Sequence, residues 1–400
     1  MLAFIRDALG AMAGGGRGYR LWVACLAVLV LAGAGAYAVQ LREGLIVTGM
    51  SDQVSWGFYI ANFAFLVGIA AAAVLLVIPA YVFHRKDIKA VVLIGEGLAV
   101  AAVLSAMLFV VVDLGRPDRA LHLLPVIGRM HWPESLLAWD VVVLTGYLLL
   151  NLAIPFYVHY CHYRGREPHF RAYFPWVVLA MFWAISIHTV TAFLFAASSA
   201  RPFWSVSLLG PRFIATAFVS GPALIILVLQ AVRRFSRYPV ADTVIDTLAL
   251  IMTVALQVSL FFVGVELFTD FYNEGSHAAS IRYLYFGLEG ADSLVPWVWS
   301  ALALLLVAVV ILTINPLRRQ RRLLNVACVL AFVGIWIDKG MGFVVPGFIP
   351  TPLGEVFEYS PTAVELTLAL GIWAFGALVF TLLARASIAI ELGEVRAGAR

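Results

Sequence analysis

The chain has 400 residues, 63% hydrophobic and 12% charged, against about 25% charged for an ordinary soluble domain. One aqueous core cannot absorb that much apolar sequence, so a soluble globular fold is excluded and a polytopic membrane protein is expected; a β-barrel would read instead as short alternating segments. The formal net charge of +4 says little as a total, but its distribution along the chain is informative.

In chain order, ten apolar runs predict spanning helices: Leu21–Gln40, Gly57–Phe83, Val91–Asp113, Leu136–Val158, Phe174–Ala197, Ile214–Val232, Val244–Phe271, Pro296–Ile314, Leu323–Met341 and Ala363–Ala384. Each is long enough to cross about 30 Å of hydrocarbon at a rise of about 1.5 Å per residue. The fold class is therefore an all-α polytopic membrane protein: an N-terminal segment over 1–20, a ten-helix transmembrane domain over 21–384 and a C-terminal tail over 385–400. Ala34-Gly35-Ala36-Tyr37-Ala38 looks like a signal-peptide cleavage site. The apolar core before it is longer than a typical signal sequence, so an uncleaved first helix is expected.

Of the 27 Lys and Arg residues, 19 fall at the termini and in the even-numbered connections, in clusters such as Arg164, Arg166, Arg171 and Arg318, Arg319, Arg321, Arg322. The other 8 are Arg42, Arg116, Arg119, Arg129, Arg201, Arg212, Arg282 and Lys339. The positive-inside rule then places both termini in the cytoplasm. The loops on the opposite face are longer and richer in Pro and Gly. Gly115–Ser135 carries Arg116-Pro117, Leu124 and His131-Trp132-Pro133-Glu134, and Ser198–Arg212 carries Arg201-Pro202-Phe203-Trp204 and Gly210-Pro211. Tyr272–Val295 is acidic, with Glu274, Glu289 and Asp292, and Val344–Pro361 holds four prolines around Gly347 and Gly354. Such loops fix turns and re-entrant backbone, and suggest a face on which a partner docks.

Ionisable groups inside a span are costly and mark functional candidates. They are Glu96, Asp140, His188, Asp246, Glu266, Asp338 with Lys339, and Glu365. Direction of travel places Glu96 and Asp246 in the inner third and the others toward the outer surface, where Trp56, Tyr59 and Asn62 open the second span. A redox quinone needs such a place: donors to its carbonyls, groups that exchange protons with it and an apolar opening for its tail. His188 suits proton exchange because imidazole titrates near neutrality. Asp140 or Asn62 can orient it, and Tyr59 and Trp56 can flank the ring. Blander readings stand beside these. Trp56 can belong to an interfacial belt, His188 can be an interhelical hydrogen bond, and Asp140 can pair with an arginine such as Arg116. His188 is the one deeply embedded histidine, the others, including His277, lying at helix ends or in loops; a bis-histidine haem is not expected. The distant cysteines Cys25, Cys161 and Cys328 do not suggest an iron–sulfur cluster of the chain's own, and no metal-ligand spacing is visible.

The run Asp113-Leu114-Gly115-Arg116-Pro117, the stretch from Thr48 to Phe63 and Pro346-Gly347-Phe348-Ile349-Pro350-Thr351-Pro352-Leu353-Gly354-Glu355 resemble the NrfD/polysulfide-reductase membrane-subunit family in its ten-span branch. Within that branch the chain is most similar to the DsrP subunits of sulfite-reduction-associated complexes, with hydrogenase and alternative-complex subunits as near competitors. The resemblance implies two four-helix bundles plus flanking helices, in a bacterial or archaeal cytoplasmic membrane. It implies an exchangeable menaquinone or ubiquinone near the outer surface, with no haem, metal or iron–sulfur cluster in this subunit. A ferredoxin-like iron–sulfur subunit would dock on the periplasmic face, beside other membrane and cytochrome subunits; no nucleic acid is implied. Ser186-Ile187-His188-Thr189 matches the family's polar segment at the pocket and Trp56–Asn62 its other wall, while Phe63 and Ile60 stand where smaller members carry His or Asn. The expected function is electron exchange between quinone and the iron–sulfur partner, with His188 and Asp140 at the chemistry and Trp56, Tyr59, Asn62 and Thr189 around the ring. The alternatives are a proton-translocating or transport protein, using Glu96, Asp246, Glu266 and Glu365 as its route, and a simple anchor.

Overall fold

The computed structural model describes residues 1–71, 73–123, 126–273 and 278–398; Leu124, Glu274, His277 and Arg400 lie outside the described residues. Among the described residues, ten helices are long and apolar enough to cross a membrane. In order they are Arg17–Glu43, Phe58–Tyr81, Lys86–Asp113, Leu136–Tyr163, Phe170–Ala196, Leu209–Phe235, Asp242–Tyr272, Val295–Thr313, Arg321–Phe348 and Ala363–Glu391. They are called the first to tenth spans below. Each coincides with one predicted run. At the basic face several helices outrun the apolar sequence: the third begins at Lys86 rather than Val91, and the tenth continues to Glu391 rather than Ala384. Hydropathy marks only the hydrocarbon core, whereas helical hydrogen bonding continues into the interfacial zone, where long basic side chains keep their heads in water.

Helix neighbours define two antiparallel four-helix bundles. In the first, the second span packs on the third and fifth, and the fourth on the third and fifth. In the second, the sixth packs on the seventh and ninth, and the eighth on the seventh and ninth. The second, fifth, sixth and ninth spans meet at the junction of the bundles, and the tenth lies against the third with the first outside it. The second span is 88% buried and the first 11% buried, so the second is the central post and the first faces lipid.

The first span is held by close backbone approach. A Cβ on Gly371 of the tenth span would lie 2.6 Å from the Cα of Gly33, so only glycine permits this crossing, the kind of small-residue contact that membrane helices use in place of hydrophobic driving force. Gly371→Leu is expected to separate the two helices at a cost of about 1–3 kcal/mol. The check is the thermal melting of the detergent-purified protein together with protease access to the 14–16 linker; unchanged values for both would contradict the contact.

Both termini lie on one face. A short helix, Leu2–Ala13, not foreseen in the sequence, sets Phe4 among Phe156, Tyr160 and Tyr163, with the Tyr163 hydroxyl donating to Asp7 at 2.8 Å. Arg385 of the tenth span donates to the Gly14 carbonyl. On the opposite face the loops fold inward. Gly342, Phe343 and Val344 of the helix Met341–Val344 and the turn Val345–Phe348 are buried. The acidic loop contains a helix, Ala278–Phe286, whose Ser280 hydroxyl donates to the Ile349 carbonyl at 2.6 Å.

Candidate functional site

The buried residues of the fifth span include Ala184, Ile187, His188, Thr191 and Phe195, the three-to-four-residue spacing of one helical face. That face turns inward, so His188 is 1% exposed and does not face lipid. Neither of its ring nitrogens has a hydrogen-bond partner among the described residues, an arrangement that costs free energy unless something else bonds there. One turn on, the Thr191 hydroxyl donates to Asp140 Oδ1 at 2.9 Å and to the Ile187 carbonyl at 2.8 Å. Asp140 is therefore tied to the fifth span and not to Arg116, which pairs with Asp118 on the exposed loop at 2.9 Å and by that hydrogen bond holds its carboxyl below the usual carboxylate range.

Lys339, at the end of the helix Arg321–Lys339, enters the same junction. It is 3% exposed, its Nζ lies 4.3 Å from the centre of the Phe213 ring, and it donates to the Phe213 carbonyl at 3.5 Å. Gly68 of the second span leaves it room: a Cβ there would stand 3.3 Å from Nζ. Above this level, on the loop side, an aromatic layer closes the junction. Trp56 stacks on Trp204 at 5.6 Å and meets Phe195 edge-on at 5.5 Å. Phe343 meets both Phe195 and Phe213, and the Trp204 indole donates to the Phe343 carbonyl at 3.0 Å.

A second polar group lies in the other bundle. Arg212 donates to Glu266 at 2.5 Å and to Asp338 at 3.2 Å. Gly210-Pro211 reads as a loop, which led the sequence to place Arg212 outside the membrane. The helix in fact starts at Leu209, and a proline in a first turn lacks only a donor that has no intrahelical partner anyway. Arg212 and Glu266 wall a cleft between the sixth and seventh spans, with about 470 Å³ of atom-free space, part of it open to the surroundings. Neither this cleft nor a smaller one at Asp338 is lined by His188.

The remaining candidates are dispersed. Asn62 is fully buried; its amide donates to the Phe58 carbonyl, and its oxygen accepts from the indoles of Trp336 at 3.0 Å and Trp373 at 2.9 Å. It joins the second, ninth and tenth spans, so its oxygen is already occupied. Asn62→Leu leaves two indole donors unsatisfied and is expected to cost about 1–3 kcal/mol for each. Thermal melting checks this, and an unchanged melting temperature would contradict it. Tyr59 points elsewhere, donating to Gln40 at 2.6 Å, while Gln40 donates to the Val112 carbonyl. Thr189 lies on the neighbouring face of its helix from His188 and donates to the Ile185 carbonyl.

The four acids expected on a proton route do not form one array. Glu96 is buried in the third span, with its Oε2 unpartnered among the described residues. Glu266 belongs to the Arg212 cluster. Asp246, expected inside, lies at the exposed basic face and bonds Arg321 at 2.6 Å, because the first turn of the seventh span sits beside the start of the ninth. Glu365 closes a capping box with Thr362, accepts from Gly49 at 2.7 Å and accepts from Tyr359 at 2.5 Å. Burial raises the Tyr359 phenol above its ordinary value, so it remains a donor. Of the groups in these clusters, Gln40, Thr191, Trp336 and Trp373 escaped the sequence because each reads as an ordinary helix residue until its partner is known.

Comparison with known proteins places this architecture. The family model described as polysulphide reductase, NrfD, matches residues 46–341. The chain is 27% identical to a dimethyl sulfoxide reductase membrane subunit of Halobacterium salinarum, covering 91% of this chain and 89% of that one. It is 25% identical to the Hdr-like menaquinol oxidoreductase integral membrane subunit of Archaeoglobus fulgidus, covering 90% and 91%. A selenate reductase subunit of Mesobacillus selenatarsenatis is 22% identical, with 91% and 92% covered.

Proposed function

This chain belongs to the polysulphide reductase NrfD family, and from that premise we propose that it is the quinone-interacting membrane subunit of a redox complex. It exchanges electrons between menaquinone or ubiquinone and an iron–sulfur partner subunit. The partner docks on the loop-rich face opposite the termini, which the basic clusters make the periplasmic one. The names of the relatives, subunits of reductases and of a menaquinol oxidoreductase, support this reading.

The observation that carries it is His188: an imidazole wholly inside the membrane domain, at a helix junction, with both ring nitrogens unengaged among the described residues. These atoms fit a quinone headgroup, which supplies carbonyl or hydroxyl oxygens and exchanges two protons with two electrons. His188 accepts or returns a proton, Asp140 and Thr191 fix the level of the fifth span beside it, and Trp56 borders the approach from the loops. The junction is closed in this state, so admitting a ring requires the aromatic layer at Trp56 to part, a gating step of a kind common in enclosed sites.

The complex purified with its partner subunits and placed in liposomes is expected to reduce an iron–sulfur centre on addition of a quinol, or to reoxidise one with a quinone. Absence of both reactions, with all subunits present, would reject the reading. Membership in the sulfite-reduction-associated branch is the narrower form of the proposal, decided by the masses of the co-purified subunits. Glu96, buried and with its Oε2 unpartnered among the described residues, is the observation that favours the proton-translocating alternative; electrogenic proton movement by the chain alone in liposomes would support it.

A further inference from the structure

The helix Leu2–Ala13 carries two adjoining apolar stripes. Phe4 and Ala8, one turn apart, are buried against the protein, and the Phe4 ring centre lies between 5.2 and 5.6 Å from those of Phe156, Tyr160 and Tyr163. Leu2, Ile5 and Leu9 follow one another at three and four residues, the spacing of a second stripe, and are 84%, 40% and 57% exposed. Arg6 and Gly10 stand on the remaining side, and both are exposed. Contacts along the helix set it across the ends of the spans. The Tyr163 hydroxyl donates to Asp7 at 2.8 Å, and Ile390 and Val395 join Phe4 and Tyr163 in one cluster. At the other end the Tyr19 hydroxyl of the first span donates to the Met12 carbonyl at 2.7 Å, and Arg385 of the tenth span reaches the Gly14 carbonyl. Tyr163, Tyr19 and Arg385 each lie within two turns of the end of their span on the termini side. A helix about 18 Å long is thus held at one level at both ends, and it runs along the membrane surface. A Cβ on Gly15 would lie 2.2 Å from the Tyr19 ring, so the turn from this helix into the first span requires glycine there.

We propose that Leu2–Ala13 is an interfacial helix whose stripe of Leu2, Ile5 and Leu9 lies in the boundary between acyl chains and headgroups of the leaflet on the termini side. The occupant of the stripe is lipid because the stripe continues a surface that already meets lipid. Phe156, which packs on Phe4, is itself exposed on the fourth span, in line with exposed Leu149 and Leu152 on the same helix. The first span, joined to this helix through residues 14–16, is 11% buried. A helix with one apolar side and a charged residue on the other, held level with the ends of spans, has the form of a segment that lies in the interface plane. Arg6, paired with Asp7 at 3.2 Å, points away from the stripe, toward headgroups and water. The same helix braces the protein. Through Phe4 and Asp7 it grips the end of the fourth span, and the Ala397 amide of the C-terminal tail donates to the Tyr163 carbonyl at 2.9 Å. The fourth span, which carries Asp140 near the opposite face, is therefore fixed to the bilayer surface at its far end.

The test uses the full chain, with and without its partner subunits, in nanodiscs of phosphatidylethanolamine and phosphatidylglycerol. Cys25→Ala and Cys161→Ala remove the native thiols that are not buried. A nitroxide is then attached in turn at Ile5→Cys, Arg6→Cys, Leu9→Cys and Gly10→Cys. Its collisions with oxygen, which concentrates in the bilayer, are compared with its collisions with a water-soluble nickel chelate. The logarithm of that ratio is expected to be positive at the Ile5 and Leu9 positions and negative at the Arg6 and Gly10 positions, a reversal with the helical period. Nickel access at all four positions puts the stripe in water and overturns the proposal. Labels at the Ile5 and Leu9 positions that neither reagent reaches in the complex, but that nickel reaches in the chain alone, assign the stripe to a protein partner and overturn it too. Phospholipids brominated on their acyl chains give a second measurement free of the label. The extra fluorescence of Leu9→Trp over the unsubstituted chain should be quenched more strongly than that of Arg6→Trp, and equal quenching of the two contradicts the proposal.

Discussion

His188→Ala is expected to lower quinol-linked electron transfer by about 10²- to 10⁴-fold, the usual worth of a positioned general acid or base, while the subunit still assembles with its partners. Two features of the site give that expectation. The imidazole makes no hydrogen bond within the described residues, so its removal breaks no interhelical tie. The surrounding face of the fifth span is held independently by Thr191, which bonds Asp140 and its own helix. A structural histidine would behave in the opposite way, its loss lowering the melting temperature and leaving turnover per assembled complex unchanged. Steady-state kinetics normalised to assembled complex, read beside thermal melting, separates the two. His188→Gln adds a finer check: it restores hydrogen-bonding groups but no titratable nitrogen, so it should recover binding of a quinol analogue without recovering turnover.

Arg212→Leu should produce a large loss of stability in the membrane domain. Arg212 bonds Glu266 at 2.5 Å and Asp338 at 3.2 Å, with side chains 13%, 19% and 18% exposed. Removing the cation strands two carboxylates in a poorly solvated place, at a cost of about 3–5 kcal/mol. Arg212→Lys should restore only part of this, because an ammonium on a flexible stem cannot hold two carboxylates as a planar fork does. The triple substitution Arg212→Leu, Glu266→Gln, Asp338→Asn should be more stable than Arg212→Leu alone, since the stranded charge is gone. Thermal or denaturant unfolding of the purified complex decides this. A single-variant loss under about 1 kcal/mol would mean that the cluster is solvated like a surface ion pair.

The spans were legible because hydrophobicity at membrane length is the most direct structural signal a sequence carries. All ten were visible in the apolar runs, and the resemblance at Asp113–Pro117 and Pro346–Glu355 implied the two bundles. What the sequence lost is contact between distant residues. Embedded acids looked like one population, yet Glu365 serves as a helix cap and Asp246 as a surface partner of Arg321. The spacing Thr362-x-x-Glu365 ahead of an apolar run is a capping-box pattern that does mark Glu365 locally, whereas nothing near Asp246 in the sequence points to Arg321. Arg212 was hidden for the converse reason: Gly-Pro normally breaks a helix, and here it lies in the first turn of one. Asn62 has the composition of a pocket residue, but its oxygen is spent on Trp336 and Trp373, more than 270 positions away. His188 stood out in the sequence because one histidine in mid-span is rare, and its burial at the junction follows from the three-to-four-residue pattern of the fifth span.

Photolabelling with a quinone that carries a short-lived azido group on its ring, followed by mass mapping of the labelled peptides, tests the location of the site most directly. Label on the peptides holding Trp56–Asn62 and Ser186–Phe195, suppressed by excess unlabelled quinone and lost in His188→Ala, is the result expected here. Suppressible label confined to the lipid-facing first span or to the walls of the cleft at Arg212, with none at the bundle junction, would contradict it.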